Sequence, residues 1–303
     1  MKGFKYPVLL SFMTLLFGLS FIATKQALTG LGIFQVVFAR HALALFLLTA
    51  ILWTDRQKFY IARRDWNKFL VLTAVEPIGY FIFETFGLRY TSPSHVSVII
   101  ATIPIFSLIF AIWIINEKTH WIGVIGIIFS LIGVYVIISV QQKTALAPRP
   151  LLGNLLALGA AVSAGLYNVL CRRLTRTYSP WTITFYQSVV ATIVFSPMAI
   201  GEAFWRVEFY INAKVVYSIL YLAFGSSIVA YYLLNYALSR LHTSRVAVFS
   251  NLIPVVTIFA SWIIYGELLS LSQFAGAALV ILGIYLTFYR RNDKESAEIN
   301  LKM

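Results

Sequence analysis

The most constraining feature of this sequence is an internal repeat at one fixed offset. Five residues of the first half recur 150 positions later with their spacing intact: Pro104, Glu117, Gly126, Gly133 and Tyr135 match Pro254, Glu267, Gly276, Gly283 and Tyr285. Hydrophobic positions just before the first of them match as well, Val96 and Val98 with Val246 and Val248. In a chain that crosses a membrane, internal symmetry of this length is typical of a fold made of two repeats around a midplane site.

Composition places the chain in a membrane. Hydrophobic residues make up 60% of it, charged residues 12%, and the mean hydropathy is +0.82. The apolar runs are about 20 residues long, the length that a helix needs to cross about 30 Å of hydrocarbon. The alternating segments of about ten residues that a membrane β-barrel requires do not occur. We therefore predict an all-α integral membrane protein.

Ten membrane-spanning helices are predicted from these runs, five in each repeat. The predicted spans are 7–28, 33–53, 67–89, 94–115 and 121–140, followed by 151–171, 182–199, 215–238, 244–265 and 272–289. The seventh span is the weakest, because Pro197 is expected to end it early. Residues 1–140 form the predicted first repeat, 141–150 a linker, 151–289 the second repeat and 290–303 a polar tail.

The basic residues predict how the chain lies in the membrane. Seventeen Lys and Arg residues fall on the side that holds the N-terminus and five on the other. This bias predicts cytoplasmic termini in a cell (inner or plasma) membrane. The net charge of +13 is spread over short segments between apolar runs, so we expect no nucleic-acid partner.

An odd number of helices per repeat has a mechanistic consequence. The second repeat must enter the membrane from the opposite side, so the two repeats are inverted. Inverted repeats can exchange conformations, which is how many secondary transporters achieve alternating access. The phosphate-binding loop Gly-x-x-x-x-Gly-Lys-Ser/Thr is not present in the sequence, so nothing indicates ATP-driven transport.

These residues resemble the EamA family of the drug/metabolite transporter superfamily. The resemblance rests on the repeated Pro–Glu–Gly–Gly–Tyr pattern and on Phe17-Gly18…Lys25, which matches Ala164-Gly165…Arg172 at an offset of 147. Arg40 lies where the family often carries an arginine. The resemblance implies ten helices in an inverted five-plus-five arrangement, with a central cavity lined by helices 1–4 and 6–9. Members carry amino acids, sugars, nucleotide-linked metabolites, quaternary amines or drugs, many of them by export.

Glu76 is the first candidate for substrate or proton binding. It precedes Pro77 near the middle of the third span, about 20 Å from the outer end. A carboxylate at that depth usually faces a cavity or a partner, and it suits a proton or a cationic substrate. The alternative is a paired structural glutamate beside a proline kink.

Two further charged residues lie in the same part of the sequence. Glu84 lies two turns beyond Glu76, and Arg40 in the second span lies at a similar depth. One interpretation is an ion pair between Arg40 and Glu84. The other makes Arg40 an anchor for a carboxylate or phosphate of the substrate.

The remaining polar and aromatic candidates have structural alternatives. Tyr80, Tyr231 and Tyr232 either line an aromatic cavity, where cation–π attraction holds an amine, or pack the core. Asn168 and Asn251 either contact substrate or bond between and within helices. Lys25 is expected to reach the headgroups, and Arg172 to belong to the cytoplasmic basic cluster.

The repeated residues are expected to be architectural. Pro104 and Pro254 should kink the fourth and ninth helices. Glu117 and Glu267 follow one apolar helix and precede the next, so we expect their carboxylates to cap the next helix. The glycine pairs Gly126/Gly133 and Gly276/Gly283 predict close helix packing or dimerisation.

Taken together, the sequence predicts a secondary transporter of a small organic metabolite, most plausibly an amino acid or related compound, working outward. Transport is either coupled to protons through Glu76 or occurs by facilitated diffusion. The alternatives are a choline or organic-cation transporter and a non-transporting receptor or partner subunit. We expect no enzyme activity, cofactor or metal. The expected partners are the lipid bilayer, the small-molecule substrate, protons and, through a homodimer, a second copy.

Overall fold

Every regular element of the computed structural model is a helix across the residues that the structure describes, which are 2–55, 60–115, 121–139, 143–205, 210–241, 246 and 249–288. The first repeat contains α1 (Lys2–Ala27), α2 (Ile33–Leu52), α3 (Trp66–Thr73, Ala74–Gly79 and Tyr80–Tyr90), α4 (Pro93–Ile100 and Ile103–Ile115) and α5 (Trp121–Ser139). The second contains α6 (Pro150–Leu174), α7 (Pro180–Trp205), α8 (Ala213–Tyr221, Leu222–Ala230 and Tyr231–Arg240), α9 (Leu252–Tyr265) and α10 (Leu271–Phe288).

Seven of these elements are long and apolar enough to cross a membrane, and three shorter apolar helices lie within α5, α9 and α10. Together they make the ten helices that the sequence predicts. The protein is an all-α, multi-pass membrane protein built from two inverted five-helix repeats. The residue boundaries of the repeats stay a prediction.

Helix packing follows the internal repeat. In the first half α3 and α4 both pack on α6, and in the second half α8 and α9 both pack on α1. A methyl group on Gly18 of α1 would meet Val256 of α9, and one on Gly165 of α6 would meet Phe106 of α4. Phe106 and Val256 are themselves 150 positions apart. Small residues therefore let equivalent backbones approach closely in both repeats.

The helices α5 and α10 pack against each other along their glycines. A Cβ atom on Gly133 would lie 2.6 Å from the carbonyl oxygen of Gly276, and one on Gly276 would lie 2.9 Å from that of Gly133. Gly283 lies in the same way against Gly126. The predicted close helix contact is confirmed, and it lies within the chain.

The prolines at the start of the repeat motif follow interruptions in their helices. In α4 the helix stops at Ile100 and resumes at Ile103, one residue before Pro104. In α9 a turn at Asn251 precedes Leu252, two residues before Pro254. A proline costs little in the first turn of a helix, where its missing N–H would have no partner. The prolines therefore begin new helical segments.

The expected early end of α7 is wrong. This helix continues through Pro197 to Trp205, because a proline removes only one backbone donor and a membrane helix tolerates that loss. Its extension carries Glu202 to the start of α2. There the carboxylate accepts hydrogen bonds from the backbone N–H groups of Ile33 (2.8 Å), Phe34 (2.9 Å) and Gln35 (3.2 Å).

Lys25 and Arg172 hold equivalent helix ends, a role that the sequence does not predict for either of them. The Lys25 ammonium donates to the carbonyl oxygens of Leu88 (2.6 Å) and Thr91 (2.9 Å) at the end of α3. Arg172 donates to the carbonyl oxygens of Leu238 and Leu241 at the end of α8. These two residues lie 150 positions after Leu88 and Thr91, which accept from Lys25. Positive charge at a helix C-terminus satisfies free carbonyls and opposes the helix dipole.

Candidate functional site

Two wide helical turns lie at equivalent places in the repeats. Residues Leu222–Ala230 of α8 form π-helix in place of α-helix, and residues Ala74–Gly79 of α3 form a kinked wide turn in which Glu76 has extended backbone angles (φ −151°, ψ 116°). The 150-residue offset aligns Glu76 with Ser226 and Pro77 with Ser227. Such turns loosen the backbone hydrogen-bond ladder and are frequent at functional sites. They bring the charged candidates of the first repeat against α8.

Glu76 is buried inside the first wide turn, with 3% of its surface exposed. One carboxylate oxygen, Oε1, accepts a hydrogen bond from the Tyr231 hydroxyl of α8. The other, Oε2, has no hydrogen-bond partner among the residues that the structure describes. A buried carboxylate oxygen without a partner is costly, so this position is suited to a proton or to a positively charged group.

Arg40 binds the second wide turn. Its guanidinium donates from Nε to Ser227 Oγ (3.0 Å) and from Nη2 to Ser226 Oγ (2.8 Å), and its Cζ lies 4.6 Å from the ring centroid of Phe81. Arg40 is 2% exposed. The guanidinium is thereby fixed by two hydroxyl groups and an aromatic face.

Of the two interpretations of Arg40, the ion pair with Glu84 is not what the structure shows. Within the described residues their charged atoms do not come within 4.0 Å of each other, and Glu84 Oε2 instead accepts from Thr85 Oγ1 (3.0 Å). The physical reason is that the loosened turn of α8 offers two hydroxyls directly to the arginine. Glu84 remains close enough for its charge to attract Arg40 through the protein.

Aromatic rings connect the two charged positions. Tyr231 packs edge-on against Phe17 at 5.3 Å between centroids and lies 6.2 Å from Phe81, and Tyr80 packs edge-on against Phe81 at 5.2 Å. The structure thus brings Tyr80 and Tyr231 to the site. Tyr232 points elsewhere, stacked on Trp181 at 4.0 Å.

The polar residues of α6 lie in interhelical hydrogen bonds. Asn168 donates to Ser107 Oγ of α4 (3.2 Å). Its neighbour in the sequence, Tyr167, donates to Asn235 Oδ1 (2.5 Å), and Asn235 in turn donates to Thr184 Oγ1 (3.0 Å). Asn251 at the start of α9 has an Oδ1 atom that is buried and has no partner among the described residues.

His41 is a functional candidate that the sequence analysis missed. It follows Arg40 in α2, is 2% exposed, and packs edge-on against Phe81 at 4.8 Å. Neither ring nitrogen has a hydrogen-bond partner among the described residues. The available signal was the polarity of the residue itself, since a histidine within an apolar span is rare and usually functional.

The repeated glutamates lie away from this site. Glu117 is outside the described residues. The sequence predicts that Glu267 caps α10, and this prediction is wrong. Ser270 and Gln273 fill that role with their own side chains. Its carboxylate accepts from Ser94 Oγ (2.7 Å) and Ser261 Oγ (2.5 Å), and lies 3.5 Å from His95 Nδ1. Although burial raises the pKa of Glu267, the hydrogen bonds from His95 and the serines outweigh it and lower the pKa to about 2.

Among the residues that the structure describes, those at the opposite end of the bundle line two cavities. They have volumes of about 450 and 530 Å³ and share Asp65, Thr177 and Tyr178 in their walls. Asp65 accepts from Lys68 (2.6 Å) and from the Tyr178 hydroxyl (2.8 Å), which joins the start of α3 to the α6–α7 connection. Groups of three metal-binding side chains do not occur in the described parts of the chain.

The fold and its buried central charges are those of a helical membrane transporter. The sequence profile of the EamA-like transporter family matches residues 5–139 and again residues 151–289. The chain belongs to this family.

Related proteins agree with this assignment. An uncharacterised transporter of Bacillus subtilis, YcxC, is 30% identical over 88% of this chain and 87% of its own length. A protein of Salmonella typhimurium named as a probable amino-acid metabolite efflux pump is 24% identical over 73% of this chain and 76% of its own. A solved crystal structure covers 96% of this chain, and this chain covers 99% of it, with a TM-score of 0.69 at 16% identity. That last likeness concerns the fold alone.

Proposed function

We propose that this protein exports an amino acid or closely related metabolite by alternating access, with a proton carried on Glu76. It does so in the cell membrane, with both termini in the cytoplasm, and it catalyses no chemical reaction. The observation that carries the proposal is the half-satisfied carboxylate of Glu76, buried where the two repeats meet.

The chemistry of Glu76 supports proton coupling. A protonated carboxyl group needs one acceptor for its hydrogen, whereas a carboxylate attracts a cation, so cargo and proton can compete for the same oxygen. Competition for one site is sufficient to exchange cargo against protons when the site faces each side in turn. The contact with Tyr231 lies between the repeats, so it is suited to change as they move.

The ends of the bundle support alternating access. Glu267 ties α9 to the start of α4 at one end, and Asp65 ties the start of α3 to Tyr178 at the other. Each tie is a small set of hydrogen bonds between different helices, which is the type of contact that opening at that end would break. The cavities beside Asp65 offer cargo an approach from the end expected to be cytoplasmic.

The choice of an amino acid rests on the site and on one relative. The site combines an acidic and a basic side chain, which suits a molecule bearing both charges, and the Salmonella relative is named for amino-acid metabolite efflux. A quaternary amine is the second candidate, because Tyr231, which bonds Glu76, packs with the rings of Phe17 and Phe81, and aromatic rings near an acid suit a cation.

The test is uptake by proteoliposomes into which the purified protein is reconstituted. A panel of amino acids and choline is supplied outside the vesicles, with and without an outward proton gradient (acidic lumen), to wild type, Glu76→Gln and Glu84→Gln. An exchanger takes up cargo when protons leave the vesicle. We expect gradient-driven accumulation of an amino acid in wild type and in Glu84→Gln. Glu76→Gln should retain only equilibration.

Other outcomes separate the alternatives. Saturable uptake that ignores the gradient would contradict proton coupling and make the protein a facilitator. Accumulation of choline alone would select the organic-cation function. If no member of the panel moves although the protein is folded and correctly inserted, the transport proposal fails in favour of a receptor.

A further inference from the structure

The donors around Arg40 remain partly unused. Its Nε and Nη2 atoms bond Ser227 and Ser226, whereas Nη1 makes no hydrogen bond within the described part of the chain. His41, its neighbour in α2, has two buried nitrogens without partners. Both side chains contact Phe81, the guanidinium over its face and the imidazole at 4.8 Å against it. We call these five residues the Arg40 cluster.

Such a cluster is suited to an anion. A neutral imidazole carries one N–H donor in either tautomer, and a guanidinium remains charged and presents its donors in a plane. Buried polar groups nearly always have a hydrogen-bond partner, so an imidazole with neither nitrogen paired indicates a position built for a ligand. A carboxylate has two acceptor oxygens, one for Arg40 and one for His41.

The charge distribution around the cluster favours a carboxylate of the cargo over a fixed acid of the protein. Glu84 is the nearby acid whose charge acts on Arg40, yet Arg40 and Glu84 lie more than 4.0 Å apart and Glu84 bonds Thr85. Ser226 and Ser227 hold the guanidinium without neutralising it. The guanidinium is therefore held in place, and its positive charge remains available to bind a carboxylate of the cargo.

The geometry points to a carboxylate-binding subsite formed by Arg40 and His41, which makes the cargo a molecule with a carboxylate. This inference rests on the proposed function and extends it. Tyr231, which bonds Glu76, lies 6.2 Å from Phe81 of the Arg40 cluster, so one ring contact connects the cluster with Glu76. An amino acid would place its carboxylate on the cluster and its ammonium on the Glu76 side, and an amine without a carboxylate would leave Arg40 unpaired.

The experiment compares three competitors that differ only in this group. Radiolabelled leucine exchange in proteoliposomes is inhibited with leucine, leucinamide or isoamylamine. We expect wild type to bind leucine at least tenfold better than either analogue, since a lost hydrogen bond to a charged group costs a factor of this order. His41→Phe keeps an aromatic ring but removes both nitrogens. This variant should bind leucine about tenfold more weakly than wild type and bind isoamylamine with unchanged affinity.

A control and a binding measurement make the result decisive. Tyr232→Phe, outside the cluster, should change none of the three affinities. In parallel, thermal unfolding of the purified protein is recorded with sodium acetate, and with acetamide plus sodium chloride at equal ionic strength. Acetate should stabilise wild type and not His41→Phe. If His41→Phe does not fold, Ser227→Ala, which loosens the guanidinium, should reduce the same preference.

The two proposals fail in distinguishable ways. Proton-driven transport in which isoamylamine competes as well as leucine would overturn the subsite and leave the exporter intact. Stabilisation by acetate that depends on His41, without transport of any amino acid, would support the subsite and overturn the exporter. An equal response to acetate and acetamide overturns the subsite in every case.

Discussion

The wide turns of α3 and α8 lie at equivalent places in the two repeats and differ in backbone and in chemistry, since only the α3 turn is broken by an extended residue, Glu76. In α3 the turn carries Glu76, which has an oxygen without a partner, and in α8 the aligned position carries Ser226, which is bonded to Arg40. The helix ends, by contrast, are treated alike in both repeats, with Lys25 and Arg172 on equivalent carbonyls. The comparison indicates that the repeat sets the framework, and that its differences set what the centre binds.

The largest expected effect comes from removing the charge that the second turn binds. Arg40→Met leaves two buried hydroxyls and Glu84 without the guanidinium. A buried hydroxyl left without its partner costs about 1–3 kcal/mol, so the loss of both contacts should lower the free energy of unfolding by about 2–6 kcal/mol. Denaturation in detergent, followed by circular dichroism, measures the loss. Arg240→Met, at an exposed site beside Tyr236, is the control, and an equal loss there would contradict the assignment.

The second prediction concerns Glu267, whose carboxylate has several hydrogen-bond partners, in contrast to that of Glu76. The folded pKa of Glu267 is about 2 against an ordinary value of 4.5, so its charge stabilises the fold above about pH 5. This stabilisation is lost as the pH falls towards 2. Linkage limits it to about 3 kcal/mol. Wild type should therefore exceed Glu267→Gln in stability at pH 7, and the gap should shrink by pH 3. A gap independent of pH would contradict the pKa.

The third prediction tests whether the repeats are held alike. Lys25→Met and Arg172→Met each remove a cation from the end of an equivalent helix. Each should lower the free energy of unfolding by about 1–2 kcal/mol, as expected for a partly buried charge at a helix C-terminus. The measurement is detergent denaturation of both variants side by side. A large effect from one and none from the other would contradict equivalent roles of these cations in the two repeats.

The smallest effect is expected from the hydroxyl that links the two turns. Tyr231→Phe keeps the ring against Phe17 and Phe81 but removes the donor to Glu76. A single such bond is worth about 1 kcal/mol, so the melting temperature should fall by a few degrees. Tyr232→Phe, which keeps its stacking on Trp181, should not change it. Equal shifts in both variants would argue against a specific bond to Glu76.

The sequence predicts the framework of this protein better than the pairing of its centre. Apolar length identifies ten helices, and the repeated prolines mark where α4 and α9 are interrupted. Glu76 is found because a carboxylate is costly in an apolar span. The partner of Arg40 could not be found in this way, because depth alone matched it to Glu84. The choice of Ser226 and Ser227 depends on the widened turn of α8, which carries no proline to signal it. Likewise, the target of Glu202 follows from α7 continuing through Pro197.

The contact between α5 and α10 has a consequence for how such a chain is put together. Gly133 approaches the carbonyl of Gly276, and Gly276 approaches that of Gly133, so each helix offers its partner the same patch. In assemblies of separate subunits, a reciprocal contact of this kind is an isologous interface with two-fold symmetry. The contact between α5 and α10 therefore has the two-fold geometry of a dimer interface, although both helices belong to one polypeptide. A second copy of the protein would have to associate through another surface.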